Sequence, residues 1–323
     1  MNKAIAIIAG EPNSIASEII FKSWKLKKKS ISKPLFIIGS IRLLNLQMKQ
    51  LKYNVKIKEV YKDFKIKDLI GNQLPVYNVE YNQKKPFEKI SNKSNKYIFK
   101  CFDIAHKFLK NKKIIGFINC PVSKESLFEK KHQGITEFLS RKENKKNNGV
   151  MLLYNKNLSV SPMTTHIPLS RVSKEIDTKK IVEKIKTINN FYKKIFNKKP
   201  NFAILGLNPH NFYITTKSRE KKIIDKAIKK LNKLKINVKG PIPADSVFSI
   251  VKKYNFNVLI GMYHDQVLAP FKALYNFNAI NITLGLSYIR ISPDHGTAEN
   301  IAGKNIANPE SLVQSIKFFN SIK

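Results

Sequence analysis

The sequence predicts an α/β protein in which buried parallel strands alternate with helices. Several strand-length runs, beginning with residues 4–9, are continuously apolar and lack the polar alternation of a half-exposed sheet. Such runs are typical of parallel strands that helices cover on both faces. Segments with apolar residues at helical spacing separate the runs, and none of the runs approaches the length of a membrane span. With 323 residues, the chain is long enough for two domains.

The first half of the chain alternates between predicted strands and helices. The predicted strands are residues 4–9, 34–38, 53–60, 74–79 and 114–118. Helices are predicted to begin near Ser14 or Ser17 and to cover residues 41–49 and 96–110. A charged segment at 141–149 is interpreted as a surface connection.

The same alternation continues in the second half. The predicted strands are residues 150–154, 158–163, 202–207, 258–262 and 279–284. Asp177 is predicted to cap a long helix, a Lys-rich helix is predicted at 218–235, and a last helix starts near Pro309. We therefore expect a two-domain α/β/α sandwich, with residues 1–137 plus 296–323 in one domain, residues 138–295 in the other, and the active-site cleft between them.

The formal net charge of +38 raises the possibility of a nucleic-acid or membrane partner. Only five of the 60 basic residues are arginine, and the lysines are spread along the whole chain. Proteins that read nucleic acid cluster their charge and use arginine for bidentate contacts. The composition instead indicates a lysine-rich surface of the kind that an A+T-rich coding sequence produces, and we expect no specific nucleic-acid partner and no membrane partner.

The cysteine content points to a reducing compartment. Cys101 and Cys120 have neither the number nor the spacing of a disulfide framework or a zinc finger. Cys120 could be a nucleophile, but no neighbouring base is apparent, which favours a buried structural thiol. The apolar run at 4–9 is too short for a secretory signal, so a cytoplasmic protein is expected.

Three predicted strands each lead to a histidine, namely His166, His210 and His264, and Asp245 and Asp265 lie near them in the sequence. Open α/β sheets bind ligands at the carboxyl ends of their strands. Imidazole and carboxylate groups are ligand types of divalent metals, so these residues are candidates for a metal site. Their long separations follow no local zinc motif, and each histidine could instead be a hydrogen-bonded structural group.

Further polar residues follow His264 along the chain. Lys272 is placed on a short segment between strands 258–262 and 279–284, Asn281 lies on the second of these strands, and Arg290 follows Gly285. We expect the two cations and the amide to lie near the imidazole of His264, as in a site for an anionic ligand. The alternative is that both cations are solvated and that the histidine is part of the core.

Six motifs in one order resemble the 4-hydroxythreonine-4-phosphate dehydrogenase family of vitamin B6 biosynthesis. They are residues 164–166 (TTH), 208–210 (NPH), 240–245 (GPIPAD), 262–266 (MYHDQ), 281–285 (NITLG) and 294–298 (DHGTA). The resemblance covers nearly the whole chain. It implies an enzyme that oxidises 4-phosphooxy-L-threonine to a β-keto acid, which decarboxylates to 3-amino-2-oxopropyl phosphate.

The resemblance also implies a fold and a cofactor. Residues 295–309 are similar to a loop of isocitrate and isopropylmalate dehydrogenases, which share the family's fold and bind the adenosine end of a nicotinamide cofactor with that loop. This places NAD or NADP at His295, Gly296, Thr297 and Ala298, although the chain has no G-x-G-x-x-G motif.

The family's site residues match positions of this chain one by one. Its metal ligands fall on His166, His210 and His264, with zinc, magnesium or cobalt as the metal. Its substrate contacts fall on Thr136, Lys272, Asn281 and Arg290. Asp245 and Asp265 are candidates for orienting an imidazole or removing a proton. The family's members are homodimers with a shared active site, so a homodimer is expected.

The chain departs from the family's pattern at two places. Ile135 stands where the family usually has histidine, and the glycine-rich runs after residue 210 and at 13–16 are lost. His132 is a candidate replacement for the missing histidine. The alternatives are therefore a related dehydrogenase of 4-phosphothreonate or 4-phosphoerythronate, or a family member with weakened catalysis.

Overall fold

The computed structural model describes residues 3–26, 33–128, 134–143, 149–212, 218 and 221–322. The chain folds as two compact units, Met1–Lys145 with Leu286–Lys323, and Lys146–Gly285. The predicted domain boundaries at 137 and 295 lie eight and ten residues from these divisions, so Arg290 belongs to the first unit. His132 lies outside the described residues.

The first unit is built on a parallel sheet. Its strands are β1 (Ala4–Ile8), β2 (Leu35–Gly39), β3 (Ile57–Val60), β4 (Leu74–Asn78), β5 (Ile114–Asn119) and β12 (Ile289–Pro293). Their order is β3-β4-β2-β1-β5-β12, and each neighbouring pair is parallel. β1 and β2 are buried along their whole length, which confirms that their unbroken apolar sequences belong to the interior of a parallel sheet.

Helices cover this sheet with apolar side chains. They are α1 (Ala16–Leu26), α2 (Ile41–Gln50), α3 (Asn95–Lys110), α4 (Lys124–Phe128), α5 (Ile135–Lys142) and α11 (Glu310–Ser321). α3 buries the stripe predicted from its spacing, and Phe108 on α3 packs edge-on against Phe36 of β2 and against Phe64. These aromatic contacts form one side of the core of the first unit.

The second unit combines antiparallel and parallel strands. These are β6 (Val150–Tyr154), β7 (Ser159–Pro162), β8 (Phe202–Leu205), β9 (Val238–Ile242), β10 (Val258–Gly261) and β11 (Ile280–Leu284). They are ordered β11-β6-β7-β10-β8-β9. β6 is antiparallel to β7 and β11, whereas β7, β10, β8 and β9 run parallel. The carboxyl ends of these four strands therefore lie along one edge of the sheet.

The helices of the second unit are α6 (Leu169–Glu175), α7 (Thr178–Phe196), α8 (Lys226–Lys233), α9 (Ala244–Ile250) and α10 (His264–Tyr275). Asp177 caps α7 as predicted, because its Oδ1 accepts hydrogen bonds from the backbone N–H groups of Lys179 and Lys180 at 2.7 and 2.9 Å. Among the described residues, no helix has the length and apolar character needed to cross a bilayer.

Some local predictions need correction. Lys272 lies between β10 and β11 as predicted, but the segment is not short, because Lys272 is in the last turn of α10, a twelve-residue helix that begins at His264 and contains Pro270. The predicted Lys-rich helix is confirmed over residues 221–233, where a π-helical stretch at Lys221–Asp225 continues directly into α8, and residues 219–220 lie outside the described ranges. β9 and β12 are strands that sequence patterning did not predict.

Candidate active site

The three histidine-bearing segments leave adjacent parallel strands. His166 follows β7, His264 follows β10, and His210 follows β8, with β10 in the middle. Hydrogen bonds beyond the ends of the strands join two of these exits. The N–H of Met163 donates to the carbonyl of Gly261 at 2.7 Å, and the hydroxyl of Thr164 donates to the carbonyl of Met262 at 2.9 Å. The sheet thus brings segments that are far apart in the sequence to one edge.

His166 and His264 are in ring contact at this edge. Their ring centroids are 5.7 Å apart with an interplanar angle of 40°. Nδ1 of His264 lies 2.7 Å from Oδ1 of Asp265. In the neutral imidazole this hydrogen bond holds the proton on Nδ1 and leaves Nε2 as a lone-pair donor, which is the arrangement of metal-binding histidines. Asp265 therefore contacts the imidazole of His264 through its carboxylate.

The ring spacing of the pair is one that two imidazole ligands of a single metal ion can have. Metal–nitrogen bonds of about 2.0–2.1 Å put the centroids of two imidazole ligands of one zinc ion roughly 5–6 Å apart. The 5.7 Å separation between His166 and His264 falls in that range. Both side chains also reach solvent, since His166 is exposed and the His264 side chain is 34% exposed.

His210 and Asp245 lie at the same edge but not in the same cluster. His210 is exposed, in a 3-10 turn at Pro209–Phe212, and has a φ of 49°. Asp245 is exposed in the first turn of α9, which follows β9. Across the described ranges, no three His, Cys, Asp or Glu side chains are grouped closely enough to hold a metal. Two of the three predicted histidine ligands are thus in contact, and the third is not grouped with them.

The predicted anion-binding residues of the second unit occupy different positions. Lys272 is exposed and lies eight residues after His264 on α10, about 12 Å along the helix axis. Asn281 lies on β11 opposite Leu153 of β6. Its Oδ1 is buried and has no hydrogen-bond partner among the described residues. A buried amide oxygen without a partner is unfavourable unless a ligand or water binds it, so Asn281 is a candidate binding group.

Arg290 is buried in the first unit and is held by a residue that sequence patterning missed. Its side chain is on β12, the residue is only 3% exposed, and its Nε donates to Oδ1 of Asn119 at 2.7 Å. Asn119 is the last residue of β5, which pairs with β12. The sequence signal that could have identified Asn119 is its position as a polar residue at the end of the apolar run of β5. Thr136, the other predicted substrate contact of this unit, is the second residue of α5.

The predicted cofactor loop follows β12 and contacts the first turn of the chain. The N–H of Ile15 donates to the carbonyl of Thr297 at 3.1 Å, and Ala298 has a φ of 45°. A Cβ added to Gly296 would meet nothing within 4 Å, so the space beside this backbone is open. His295 is partly buried and Thr297 and Ala298 are of intermediate exposure. The loop therefore has open space beside its backbone at Gly296.

Glu11 is a second buried polar residue near this loop that sequence patterning did not single out. It is 1% exposed, and the hydroxyl of Ser94 donates to both of its carboxylate oxygens at 3.2 Å. Burial raises the pKa of Glu11, although the N–H of Asn13 and the Ser94 hydroxyl oppose the shift, and the neighbouring charge of Glu299 adds to it.

The fold is of the α/β class, and the exits of its parallel strands β7 and β10 bring two imidazoles and one carboxylate together. The family model for the pyridoxal phosphate biosynthetic protein PdxA matches residues 30–319. A 4-hydroxythreonine-4-phosphate dehydrogenase from Sulfurihydrogenibium sp. is 37% identical over 97% of this chain and 96% of its own length. The chain belongs to the PdxA family.

Solved structures confirm the predicted α/β fold. A crystal structure of 4-hydroxythreonine-4-phosphate dehydrogenase from Klebsiella pneumoniae superposes with a TM-score of 0.86 at 26% identity and covers 100% of this chain and 99% of its own. A relative from Oceanobacillus iheyensis, 30% identical over 97% of this chain and 95% of its own, has the provisional name D-threonate 4-phosphate dehydrogenase.

Membership of the PdxA family makes the protein an oxidoreductase that acts on a CH–OH group. It also implies a nicotinamide cofactor and a role in pyridoxal phosphate biosynthesis.

Proposed function

We propose that the protein oxidises the secondary hydroxyl of 4-phosphooxy-L-threonine with NAD or NADP. The β-keto acid that results loses carbon dioxide to give 3-amino-2-oxopropyl phosphate. The observation that carries this proposal is the contact between His166 and His264, with Asp265 bonded to the second imidazole, in a chain related over its whole length to proteins of that name. Loss of carbon dioxide follows because the new ketone stabilises the enolate that is left.

His166 and His264 would hold a divalent metal through imidazole nitrogens, with His210 as the third ligand expected from the family. Zinc, magnesium and cobalt are the candidates. When bound, the metal supplies Lewis-acid polarisation of the hydroxyl oxygen, which lowers its pKa. Asp265 fixes the tautomer and orientation of His264 through its hydrogen bond to Nδ1. Asp245 is a further candidate for moving a proton at the same sheet edge.

The anionic groups of the substrate would be bound by Lys272, Asn281, Arg290 and Thr136. A phosphate dianion and a carboxylate need fixed donors and cations to be oriented for hydride transfer. The buried, unpartnered Oδ1 of Asn281 supports a role for its amide, and the bond from Arg290 to Asn119 fixes the plane of that guanidinium. The loop His295, Gly296, Thr297 and Ala298 would bind the adenosine end of the cofactor.

The proposal includes a homodimer with a shared active site, a cytoplasmic location, and no specific nucleic-acid partner. The dimer rests on resemblance to the family. The location is supported by the cysteines, since Cys101 and Cys120 are both buried and free. Size-exclusion chromatography with light scattering tests the dimer, and a monomer at micromolar concentration would contradict it.

A second candidate substrate is 4-phosphothreonate, or the related 4-phosphoerythronate. The name of the Oceanobacillus iheyensis relative favours this alternative, and so does Ile135 at a position where the family usually has histidine. These acids carry a hydroxyl in place of the amino group, so a metal and an anion site would serve either class of substrate. The alternative of weakened catalysis rests on the same substitution and on the lost glycines.

One assay separates these candidates. Purified protein is treated with a chelator, reloaded with zinc, cobalt or magnesium, and mixed with each phosphorylated acid and with NAD or NADP, while cofactor reduction is followed at 340 nm. The proposal predicts the highest kcat/KM with 4-phosphooxy-L-threonine and loss of turnover without metal. A higher kcat/KM with 4-phosphothreonate would support the second candidate, and background rates with every substrate would support weakened catalysis.

A further inference from the structure

The buried side chain of Asn13 joins the turn after β1 to a segment that follows β4. Asn13 is only 3% exposed. Its Oδ1 accepts hydrogen bonds from Nε2 of Gln83 at 2.9 Å and from the backbone N–H of Glu88 at 2.8 Å, and its Nδ2 donates to the carbonyl of Lys89 at 3.4 Å. Asn13 belongs to the run 13–16, where the family's glycines are lost. Glycine has no side chain, so a glycine-rich turn could not make this link.

Two glutamines add to the link that Asn13 makes. Nε2 of Gln47, a buried residue of α2, donates to the carbonyl of Pro12 at 2.7 Å and to that of Pro86 at 2.9 Å. Nε2 of Gln83 also donates to the carbonyl of Lys85 at 2.8 Å. The segment between β4 and α3 has neither helix nor strand from residue 79 to residue 91. Its position relative to the turn after β1 therefore depends on these side-chain amides.

The same segment packs against the loop that follows β12. The backbone N–H of Ile90 donates to Oε1 of Glu299 at 3.0 Å. A Cβ added to Gly303 would lie 2.8 Å from Cδ2 of Phe87, so this ring lies directly on the Gly303 backbone. The segment held by Asn13 thus contacts the loop at two points, one polar and one apolar.

The start of this loop has backbone groups that fit a nucleotide. The N–H groups of Gly296, Thr297 and Ala298 donate no hydrogen bond to any residue that the structure describes. Ala298 is in the left-handed region with a φ of 45°, and the space beside Gly296 is open. Successive N–H groups next to a left-handed residue can bind an anion such as a phosphate group. The loop also follows a parallel strand of the sheet, where open α/β sheets bind their ligands.

We propose that Asn13 is a positioning residue for cofactor binding, which acts by holding the segment 83–90 against the loop 297–303. This inference rests on the proposed function, which places the nicotinamide cofactor at residues 295–298. Loss of the Asn13 side chain removes the acceptor of the Glu88 N–H, so the segment becomes less ordered. The loop then has to be ordered at the moment of binding, which lowers the affinity for the cofactor.

Two variants and a control test the proposal. Asn13→Ala removes all three hydrogen bonds of the side chain, and Gln83→Met removes one of them from the other side at similar side-chain length. Asn155→Ala is the matched control, because Asn155 is also buried and its amide also joins two segments, by donating to the Asn278 carbonyl and accepting from the Asn157 N–H, but in the second unit. Amide hydrogen exchange of the full chain is measured by mass spectrometry without cofactor. Binding of NADH and NADPH is measured by their fluorescence, and unfolding by circular dichroism.

Peptides covering residues 295–303 should exchange about 5–10-fold faster in Asn13→Ala than in the wild type, and the reduced cofactor should bind more weakly by a similar factor, the scale of one lost buried hydrogen bond. Gln83→Met should shift both quantities in the same direction. KM for the cofactor should rise more than kcat falls. Asn155→Ala should keep wild-type exchange at 295–303 and wild-type affinity even where it lowers the free energy of unfolding as much, which a purely structural role of Asn13 would not produce.

If Asn13→Ala does not fold, Gln83→Met alone carries the test. Wild-type exchange at residues 295–303 in a folded variant would overturn the inference, and so would faster exchange with unchanged cofactor affinity. A wild-type protein that binds neither NADH nor NADPH would instead overturn the proposed function and the inference with it.

Discussion

At the scale of single residues, His264 has two contacts that give it a central role. Its ring lies against that of His166, and its Nδ1 is bonded to Asp265. His264→Ala is expected to remove metal binding and to lower kcat by orders of magnitude. Lys272→Ala is the comparison variant, and it should mainly raise KM for the anionic substrate because it removes a cation without disturbing the imidazoles. Unchanged turnover of metal-stripped His264→Ala would contradict the proposed mechanism.

The buried ammonium group of Lys184 predicts how the free energy of unfolding depends on pH. Its Nζ donates to the carbonyls of Pro162 and Met163 at the end of β7, and burial lowers its pKa from 10.5 to about 8. Between about pH 8 and 10.5 the unfolded chain retains a proton that the native state has released, so the free energy of unfolding should rise with pH. The rise is at most about 3 kcal/mol, from 1.36 kcal/mol for each unit of the pKa shift.

The Lys184 prediction is checked by urea unfolding of metal-free protein from pH 7 to 10.5. The difference in unfolding free energy between wild type and Lys184→Met should change with pH in that window, with the wild type gaining relative to the variant. Lys186→Met is the control for loss of a lysine from the same helix, because Lys186 is exposed. A flat difference for Lys184→Met would show that its ammonium is solvated.

Single-residue sequence patterning found the histidines but not the buried amides that hold other segments in place. A histidine at the exit of an apolar strand is visible in the sequence, because the strand itself is local. Asn119 bonds a residue 171 positions away and Asn13 bonds one 75 positions away. Such pairings depend on which strands become neighbours, and strand order is not encoded in local periodicity. The roles of Asn119 and Asn13 therefore required the structure.

At the scale of elements, the N-terminal cap of α7 was predicted from the sequence and is present in the structure. Asp177→Ala should cost about 1 kcal/mol of unfolding free energy, because two backbone N–H groups of the first turn lose their acceptor. Thr187→Ala is the matched control on the same helix, since the Thr187 hydroxyl only donates to the Glu183 carbonyl within the helix. Its effect should be near zero. Urea unfolding measures both, and equal losses would mean that Asp177 contributes nothing as a cap.

Physical reasons explain why sequence patterning failed to predict some elements. β12 (IRISP) and β9 (VKGPI) contain charged residues, proline or glycine, so they lack the continuous apolar run by which β1 and β2 are recognised. α10 contains Pro270, which removes one backbone N–H and signals a break, so the local sequence does not predict a twelve-residue helix there. Strand and helix assignments succeeded where local propensity and burial agree, and failed where neighbouring elements override local propensity.

At the scale of the whole molecule, the two units differ in the direction of their strands, and this difference affects the candidate site. The first unit has a parallel sheet throughout, whereas the second enters its parallel strands through the antiparallel pair β6 and β7. Because β7 is the second strand of this pair and runs parallel to β10 and β8, its carboxyl end lies at the same edge as theirs. The three histidines were predicted from their positions after strands, and this shared edge is the reason that strand-end positions far apart in the sequence can serve one ligand.

The net charge of +38 leads to the last prediction, which concerns binding to nucleic acid. Attraction that comes from scattered lysines depends on release of counterions and not on base sequence, so log K should fall linearly with log salt concentration and be the same for unrelated duplexes. Fluorescence anisotropy with two labelled DNA duplexes of different sequence and one RNA duplex, between 50 and 300 mM salt, measures this. We expect weak, equal binding to all three that is lost at the upper salt concentrations. Tight binding to one sequence that persists at the highest salt would mean that the lysines form a specific interface, and the charge could then no longer be attributed to a tolerant surface.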